Sequence, residues 1–468
     1  MYEVEQLIDG HWSSRAGEQI LTVSDPRDDR PVSRVPVASD TDVSDAVAAA
    51  RRAAPQWSRT APAARAGALH AAADAIEAEA GDLAEIMAAE MGKPVDGARD
   101  SIAAGVGTLR QYAELGPTHR GRSLAGDHDA IDLMAYRPRG VVAVITPWND
   151  PVAVSCGLLG AALVTGNTVV YKPSERTPAT GWRLARLIAP HLPAGVLNTV
   201  HGDGPAGAAL AAADVDVVAH VGSTAAGRAI AAACARTGAK ALLENGGSDP
   251  LIVDAGVDPV WAAGQAALGA FANSGQICVA VERIYVHRDV AGPFTEALAA
   301  EAETWSKQIG PLVDRRLRET VHEQVRTALR AGATLVHGGE IPGGAGAWYP
   351  PTVLSGCSDD MAVMREETFG PVAPVATVDS FDEALGRAAD SPYGLAASVL
   401  TPSMSNAQRA WRELPVGTVK VNAVFGGAPG GAAHPRRGSG QGFGYGPELL
   451  DEMTVTTVLH LEAPPTGW

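Results

Sequence analysis

The sequence predicts an α/β protein of two successive doubly wound domains with a β-rich arm attached. Three observations predict it. From Val141 onwards short β-branched runs alternate with Ala-rich stretches long enough for helices, the pattern of a parallel sheet covered on both faces. A second alternating set follows from Arg283. Two β-prone pieces, 121–136 and 454–463, belong to neither set. The length of 468 residues is itself too great for one core.

The first hundred residues read as helical. Val43–Ala54 is Ala-rich and is expected to stop at Pro55, which lacks an amide hydrogen. Arg65–Met91 repeats apolar residues at i, i+3 and i+4. GRSLAGDHDAIDLMAY (121–136) places a Gly/Asp turn between two strand candidates. The first strand set is VVAVIT (141–146), TVVYK (168–172), VLNTV (196–200), DVVAHV (216–221), ALLE (241–244) and PLIV (250–253). The second is RIYVH (283–287), ATLVHGG (333–339), PVAPVATV (371–378), ASVLT (397–401) and TVKVN (418–422), with a long helix through 315–331. TVTTVLHLEA (454–463) would leave a bare sheet edge if nothing paired with it, and another subunit is one way to cover it. No repeat with a period of about 20–50 residues is apparent.

Hydrophobic residues make up 46% of the chain and charged ones 19%, as in ordinary globular proteins. A net charge of −16 argues against nucleic acid and anionic membrane as partners, and plain solubility accounts for it. Cys156, Cys234, Cys278 and Cys357 form no CxxC pair or metal-spaced cluster. Neither a disulfide framework nor a metal site is therefore expected, and a reducing, cytoplasmic compartment fits. MYEVEQLIDGHW carries no basic and apolar export signal. The longest apolar run, 152–164, is shorter than the ~20 residues of a membrane span.

Gly202–Gly207 matches G-x-G-x-x-G after a strand, but the acidic residue that should follow ~20 positions on is missing. His220 and Gly222 stand there instead. GSTAAG (Gly222–Gly227) ends a strand and opens a helix. Backbone N–H groups and the Ser223 hydroxyl there suit a phosphate or serve as an ordinary helix cap. GNTVVYKPSE (166–175) ends a strand with Lys172 and then Glu175, TPWND (146–150) ends one with Asn149, and LLENGG (242–247) ends one with Glu244. In a doubly wound sheet the carboxyl ends of the strands face one crevice, so these groups converge. FANSGQICVA (271–280) adds a cysteine between small residues after a turn.

TPWN, GNTVVYKPSE, LPAGVLNTVHG, VGSTAAGR, LENGG, FANSGQIC, EETFGPV and PYGLAASV stand in the order and at the spacing of the NAD(P)-dependent aldehyde dehydrogenase superfamily, which the chain resembles nearly end to end. The resemblance implies an aldehyde dehydrogenase-like fold. It puts an NAD-binding domain at 1–120 and 137–243, a catalytic domain at 244–445, and an oligomerisation arm at 121–136 and 446–468. It also implies oxidation of an aldehyde to a carboxylic acid. A trigonal carbonyl has no hydride ready to give, whereas a thiolate added to it makes a tetrahedral oxyanion whose hydride can leave.

The resemblance makes Cys278 that nucleophile, with the Asn149 side-chain amide and the cysteine's own N–H as oxyanion donors, each worth roughly 3 kcal/mol. Glu244 becomes the base that activates water against the acyl-thioester, helped by burial beside Leu242 and Leu243. By residue type alone Asn149 also reads as a turn residue before Pro151, and Glu244 as a structural acceptor. Lys172 and Glu175 fall on the adenosine ribose, Ser223 on the pyrophosphate, and Glu367 and Phe369 on the nicotinamide ribose and ring. Gly222 and Trp148 are assigned to the cofactor with them. A carboxylate at Glu175 repels a 2′-phosphate and favours NAD, while Lys172 would tolerate NADP. Cys156, Cys234 and Cys357 read as small buried hydrophobes.

Three departures from the family pattern bear on cofactor and substrate. Asn245 and Ser248 replace the usual leucine and lysine of the Leu-Gly-Gly-Lys that follows the base. Asp150 stands where an aromatic residue often follows Trp-Asn. NAVFGGAPGGAAHPRRGSGQG (422–442) replaces the Pro-Phe-Gly-Gly segment and carries His434, Arg436 and Arg437. An ionised aspartate in an apolar tunnel is costly unless compensated. Either a hydroxylated or charged substrate meets Asp150, Arg436 and Arg437, or these form an internal ion pair.

The expected partners are a small aldehyde and further copies of the chain, as a homodimer or homotetramer, with the tail and the 121–136 arm pairing across subunits. Three rival readings stand beside this one. Glu244 argues against a CoA-acylating relative; Cys278, Glu244 and Asn149 argue against an inactive structural member; Lys172 and Glu175 argue against a thiol hydrolase.

Overall fold

The computed structural model describes residues 1–14, 19–427 and 431–464. An eight-stranded sheet runs in the order Gly440–Gln441, Lys240–Glu244, Val217–Val221, Val141–Ile145, Thr168–Lys172, Leu197–Thr199, Gln6–Ile8, His11–Ser13. Its inner strands, Lys240–Glu244 to Leu197–Thr199, are parallel, and both margins are antiparallel. Val141–Ile145 and Thr168–Lys172 are buried along their whole length, as strands must be beneath helices on both faces. Chain order reverses around Val141–Ile145, which lies between Thr168–Lys172 and Val217–Val221. A ligand crevice opens beyond the carboxyl ends at such a point.

The second sheet has seven strands in the order Thr334–His337, Thr352–Ser355, Val372–Val378, Val281–His287, Asp249–Val253, Ala396–Leu400, Thr418–Val421. Only its first pair is antiparallel. Asp249–Val253, read from the sequence as closing the first strand set, lies in the middle of this second sheet. A short apolar run carries no mark of which sheet it will join; the turn Asn245–Ser248 makes that choice. It carries the chain from the carboxyl end of one sheet to the amino end of the other. The site forms along this line.

The N-terminal region differs from its helical reading. Among the described residues five short strands precede the first helix, paired partly in local hairpins and partly with remote strands, as Leu7 is with Thr199. The first helix, Asp40–Arg59, runs through Pro55. The turn beyond the proline is anchored by the buried Trp57, whose Nε1 donates to the Leu163 carbonyl at 3.0 Å. Arg65–Met91 is two helices, Pro62–Ala78 and Ala80–Met91, broken at Glu79.

The expected pairing of tail and arm across subunits is corrected. Thr454–Glu462 pairs antiparallel with Ala130–Pro138 of the same chain, from Thr454↔Pro138 to Glu462↔Ala130, and Arg122–Leu124 completes the sheet. The outer edge of Thr454–Glu462 carries exposed Val458 and Leu461. Leu449, Leu450 and Met453, grouped from the sequence with the arm, pack into the core under the first sheet. Among the described residues no helix is long and apolar enough to cross a membrane.

Candidate active site

The helix Pro259–Phe271 gives way to a turn in which Asn273, Ser274 and Gly275 have φ of 49°, 58° and 72°. Left-handed backbone is costly for residues with a Cβ, so contacts must hold it. Ser274 Oγ donates to the Gly310 carbonyl at 2.7 Å, Gln276 Nε2 to the Asn273 carbonyl at 3.0 Å, and Val313 N to Gln276 Oε1 at 2.8 Å. A Cβ on Gly275 would overlap the Gly370 carbonyl, which presses the turn against Glu366–Pro371. The turn delivers Cys278, an exposed thiol in a chain whose other cysteines are buried in apolar cores.

Asn149, one turn beyond Val141–Ile145, is buried and donates its Nδ2 to the Gln276 carbonyl at 2.9 Å. Asn273 Nδ2 answers by donating to the Asn149 carbonyl at 3.3 Å. Glu244, at the end of Lys240–Glu244, accepts from Gly444 N at 3.1 Å, and burial pushes its pKa up to about 7. The thiol of Cys278 is open to solvent on one side yet walled by protein. Loss of water, then the charges of Glu244, Asp249, Glu367 and Asp150, push its pKa up to about 12. Glu244, its pKa near neutrality and first among the charges felt by the sulfur, can take a proton from a water beside the sulfur.

Glu367 Oε1 accepts from Gly247 N at 3.1 Å, and burial pushes its pKa up to about 7. Phe369 has a φ of 52°, and its ring meets Trp148 edge-on with centroids 5.4 Å apart. The sequence missed what holds this loop. Buried Glu282 accepts from Thr368 N at 3.0 Å and from Phe369 N at 2.8 Å. The signal available was a carboxylate at the start of the strand candidate RIYVH, directly before its arginine.

A cleft of about 780 Å³ opens at the switch point, lined by Trp148, Lys172, Glu175, Gly222 and Ser223. Ser223 caps the helix Thr224–Thr237 by accepting from Ala226 N, which leaves earlier N–H groups of that helix free. A Cβ on Gly222 would lie 2.7 Å from the His220 ring. Lys172 is buried, with Nζ 3.1 Å from the Pro173 carbonyl and 3.9 Å from the half-exposed Glu175 carboxylate. Volume, bare helix N–H groups and a half-exposed carboxylate beside a buried ammonium fit a dinucleotide. Asp203, Gly204 and Gly207 also line the cleft, so the rejected glycine motif contributes wall.

Comparison with known proteins agrees with this geometry. The model of the aldehyde dehydrogenase family matches residues 12–459. The chain belongs to the aldehyde dehydrogenase family. It is 36% identical to the 2-hydroxymuconic semialdehyde dehydrogenase of Pseudomonas sp. (strain CF600), over 91% of this chain and 92% of that one. It is 33% identical to the lactaldehyde dehydrogenase of Escherichia coli (strain K12), over 97% and 98%. The structure of 3,6-anhydro-L-galactose dehydrogenase in complex with NAP superposes with a TM-score of 0.95 at 31% identity, covering 98% of this chain and all of that one. The chain is accordingly an oxidoreductase of the aldehyde dehydrogenase family, whose reaction takes aldehydes to acids with NAD(P)+.

The departures from the aldehyde dehydrogenase pattern sort into two kinds. Asn245 is structural: its backbone N donates to the Ser439 carbonyl at 2.9 Å, its Nδ2 to the Gly438 carbonyl at 3.1 Å. Ser248 is buried with an unpartnered hydroxyl. The ion pair considered for Asp150 is absent, for its Oδ1 is buried without a partner. Arg437 instead donates to the carbonyl oxygens of Ala389, at 2.8 Å, and Ser391. Arg436 is exposed, with its backbone N on the Gly394 carbonyl. Carbonyl acceptors on a neighbouring loop claimed Arg437, a choice invisible in the sequence.

Proposed function

We propose that Cys278, Glu244 and Asn149 carry the oxidation, with NAD preferred as hydride acceptor. The observation that supports this most is the Asn149–Gln276 hydrogen bond of 2.9 Å. It ties the carboxyl end of a first-sheet strand to the backbone two residues before the thiol. The Cys278 sulfur, its proton given up to solvent on its open side, adds to the aldehyde carbon, and the resulting oxyanion is met by the second Asn149 Nδ2 hydrogen and the Cys278 N–H. The nicotinamide, when bound, supplies the hydride acceptor. After hydride loss Glu244 removes a proton from water, whose oxygen attacks the acyl-thioester and releases acid and thiol.

Lys172 and Glu175 would hold the adenosine ribose, Gly222 and Ser223 the pyrophosphate, and Trp148, Glu367 and Phe369 the nicotinamide end. The Glu175 carboxylate supports NAD over NADP. In this reading residues 1–120 and 137–243 form the cofactor domain, 244–445 the catalytic one, and the sheet of Thr454–Glu462 the contact of a homodimer or homotetramer. Four unpaired cysteines support a cytoplasmic location. Asp150 supports a polar aldehyde as substrate.

The test is NAD reduction by purified protein over an aldehyde panel, with and without CoA. Turnover to the free acid without CoA is expected. A strict CoA requirement would transfer the chain to the acylating branch.

A further inference from the structure

Lys420 lies on Thr418–Val421, the edge strand beside Ala396–Leu400. It is in register with Ser398 and through it with Leu251, so it shares a sheet face with Asp249, two residues before Leu251. Val419, on the other face, packs against the core there. The Lys420 ammonium has one contact, the Phe425 ring, with Nζ 5.5 Å from the centroid. Among the described residues it makes no hydrogen bond and no ion pair. Burial lowers its pKa, and the charges that act on it are those of Asp249 and Cys278.

Asp249 does not neutralise it. Its Oδ1 accepts from Ala396 N at 3.1 Å, its Oδ2 is buried without a partner, and burial pushes its pKa up to about 8. This carboxyl adjoins the nucleophile: a Cβ on Gly247 would lie 2.9 Å from Asp249 Oδ1 and 2.9 Å from the Cys278 carbonyl oxygen. From the first sheet, Asp150 adds a buried Oδ1 without a partner, and its charge also reaches the thiol. The charges of the Lys420 ammonium and of the Asp249 and Asp150 carboxyl groups thus act together around the sulfur. Polar atoms buried without a partner, as Asp249 Oδ2 and Asp150 Oδ1 are, cost free energy that a ligand can restore, and the half-buried Lys420 ammonium, held only by a ring, gains from an added acceptor. A carboxylate on the substrate would satisfy Lys420 but be repelled by Asp150, and an alkyl chain would satisfy neither. A hydroxyl both accepts and donates, and satisfies both.

We propose that Lys420 and Asp150 select an aldehyde bearing hydroxyl groups near its carbonyl, Lys420 donating to a hydroxyl oxygen and Asp150 accepting from a hydroxyl hydrogen. The proposal rests on Cys278 as nucleophile and names the substrate class of that site. Its test compares kcat/KM with NAD for glyceraldehyde, pentanal and succinic semialdehyde, in the wild type, Lys420→Met and Lys420→Arg. The wild type is expected to prefer glyceraldehyde over pentanal by about tenfold to a hundredfold, the span of a charged hydrogen bond. Lys420→Met should bring that ratio close to one, chiefly by raising KM for glyceraldehyde, while Lys420→Arg keeps most of the preference.

A wild-type preference for pentanal overturns the proposal, as does an equal loss on both aldehydes in Lys420→Met. A preference for succinic semialdehyde that Lys420→Met removes also overturns it, because the site would then be an anion site. These outcomes leave aldehyde oxidation standing. Absence of NADH from all three aldehydes would overturn the reading of Cys278 and this proposal with it.

Discussion

The two sheets meet at the site in opposite senses. The first presents the carboxyl ends of parallel strands, and Asn149, Lys172, Ser223 and Glu244 stand at or just beyond those regular ends. The second presents amino ends, and its groups sit on irregular loops. Cys278 follows three left-handed residues, and Phe369, itself at positive φ, hangs from buried Glu282. Strand ends place a side chain through the ladder alone, whereas a strained loop needs separate tethers for each residue.

Substitutions on the two sides can break or sharpen this contrast. Cys278→Ala should reduce aldehyde oxidation by about 10⁵-fold or more, as removal of a nucleophile does, with NAD binding retained in a fluorescence titration. Residual activity above a few per cent would end the assignment. Glu244→Gln should lower the steady state by about 10²–10⁴-fold while a stoichiometric NADH burst survives. The carboxyl must be ionised to act, so the wild-type steady state should rise with pH through about 7 and then level. The variant should lack that limb, and loss of the burst itself would remove the base role.

The backbone contrast is tested by two glycines. Gly275→Ala, at a φ of 72° and against the Gly370 carbonyl, should lose roughly 1–3 kcal/mol in denaturant unfolding and slow alkylation of Cys278. Gly207→Ala, in the helix Gly204–Ala212 of the first-sheet side, meets only Lys172 Cε at 3.5 Å and Cδ at 3.6 Å. Its stability should stay level or rise by up to about 1 kcal/mol. Equal losses in both would erase the distinction. The smallest effect on chemistry is expected from truncation before Thr454, which should lower the mass seen by light scattering by removing the strand proposed to carry the subunit contact. An unchanged monomer before and after truncation would remove the assembly role of that sheet.

What the sequence could determine by itself is what short-range chemistry writes. TVVYK is the strand Thr168–Lys172 residue for residue, because a β-branched run between turn signals has one stable use. Lys172, Glu175, Asn149, Glu244 and Cys278 were all legible as strand-end or turn groups. Tertiary structure decided the rest. Asp249–Val253 joined the second sheet, Gln6–Ile8 joined the first through Thr199, and Thr454–Glu462 found its partner within its own chain. Arg437 went to backbone carbonyls, while Lys420, among the described residues, met only the Phe425 ring. The reason is common to all of these. A strand's partner and a buried charge's counterpart lie far away in sequence, and only packing selects between alternatives of nearly equal local free energy.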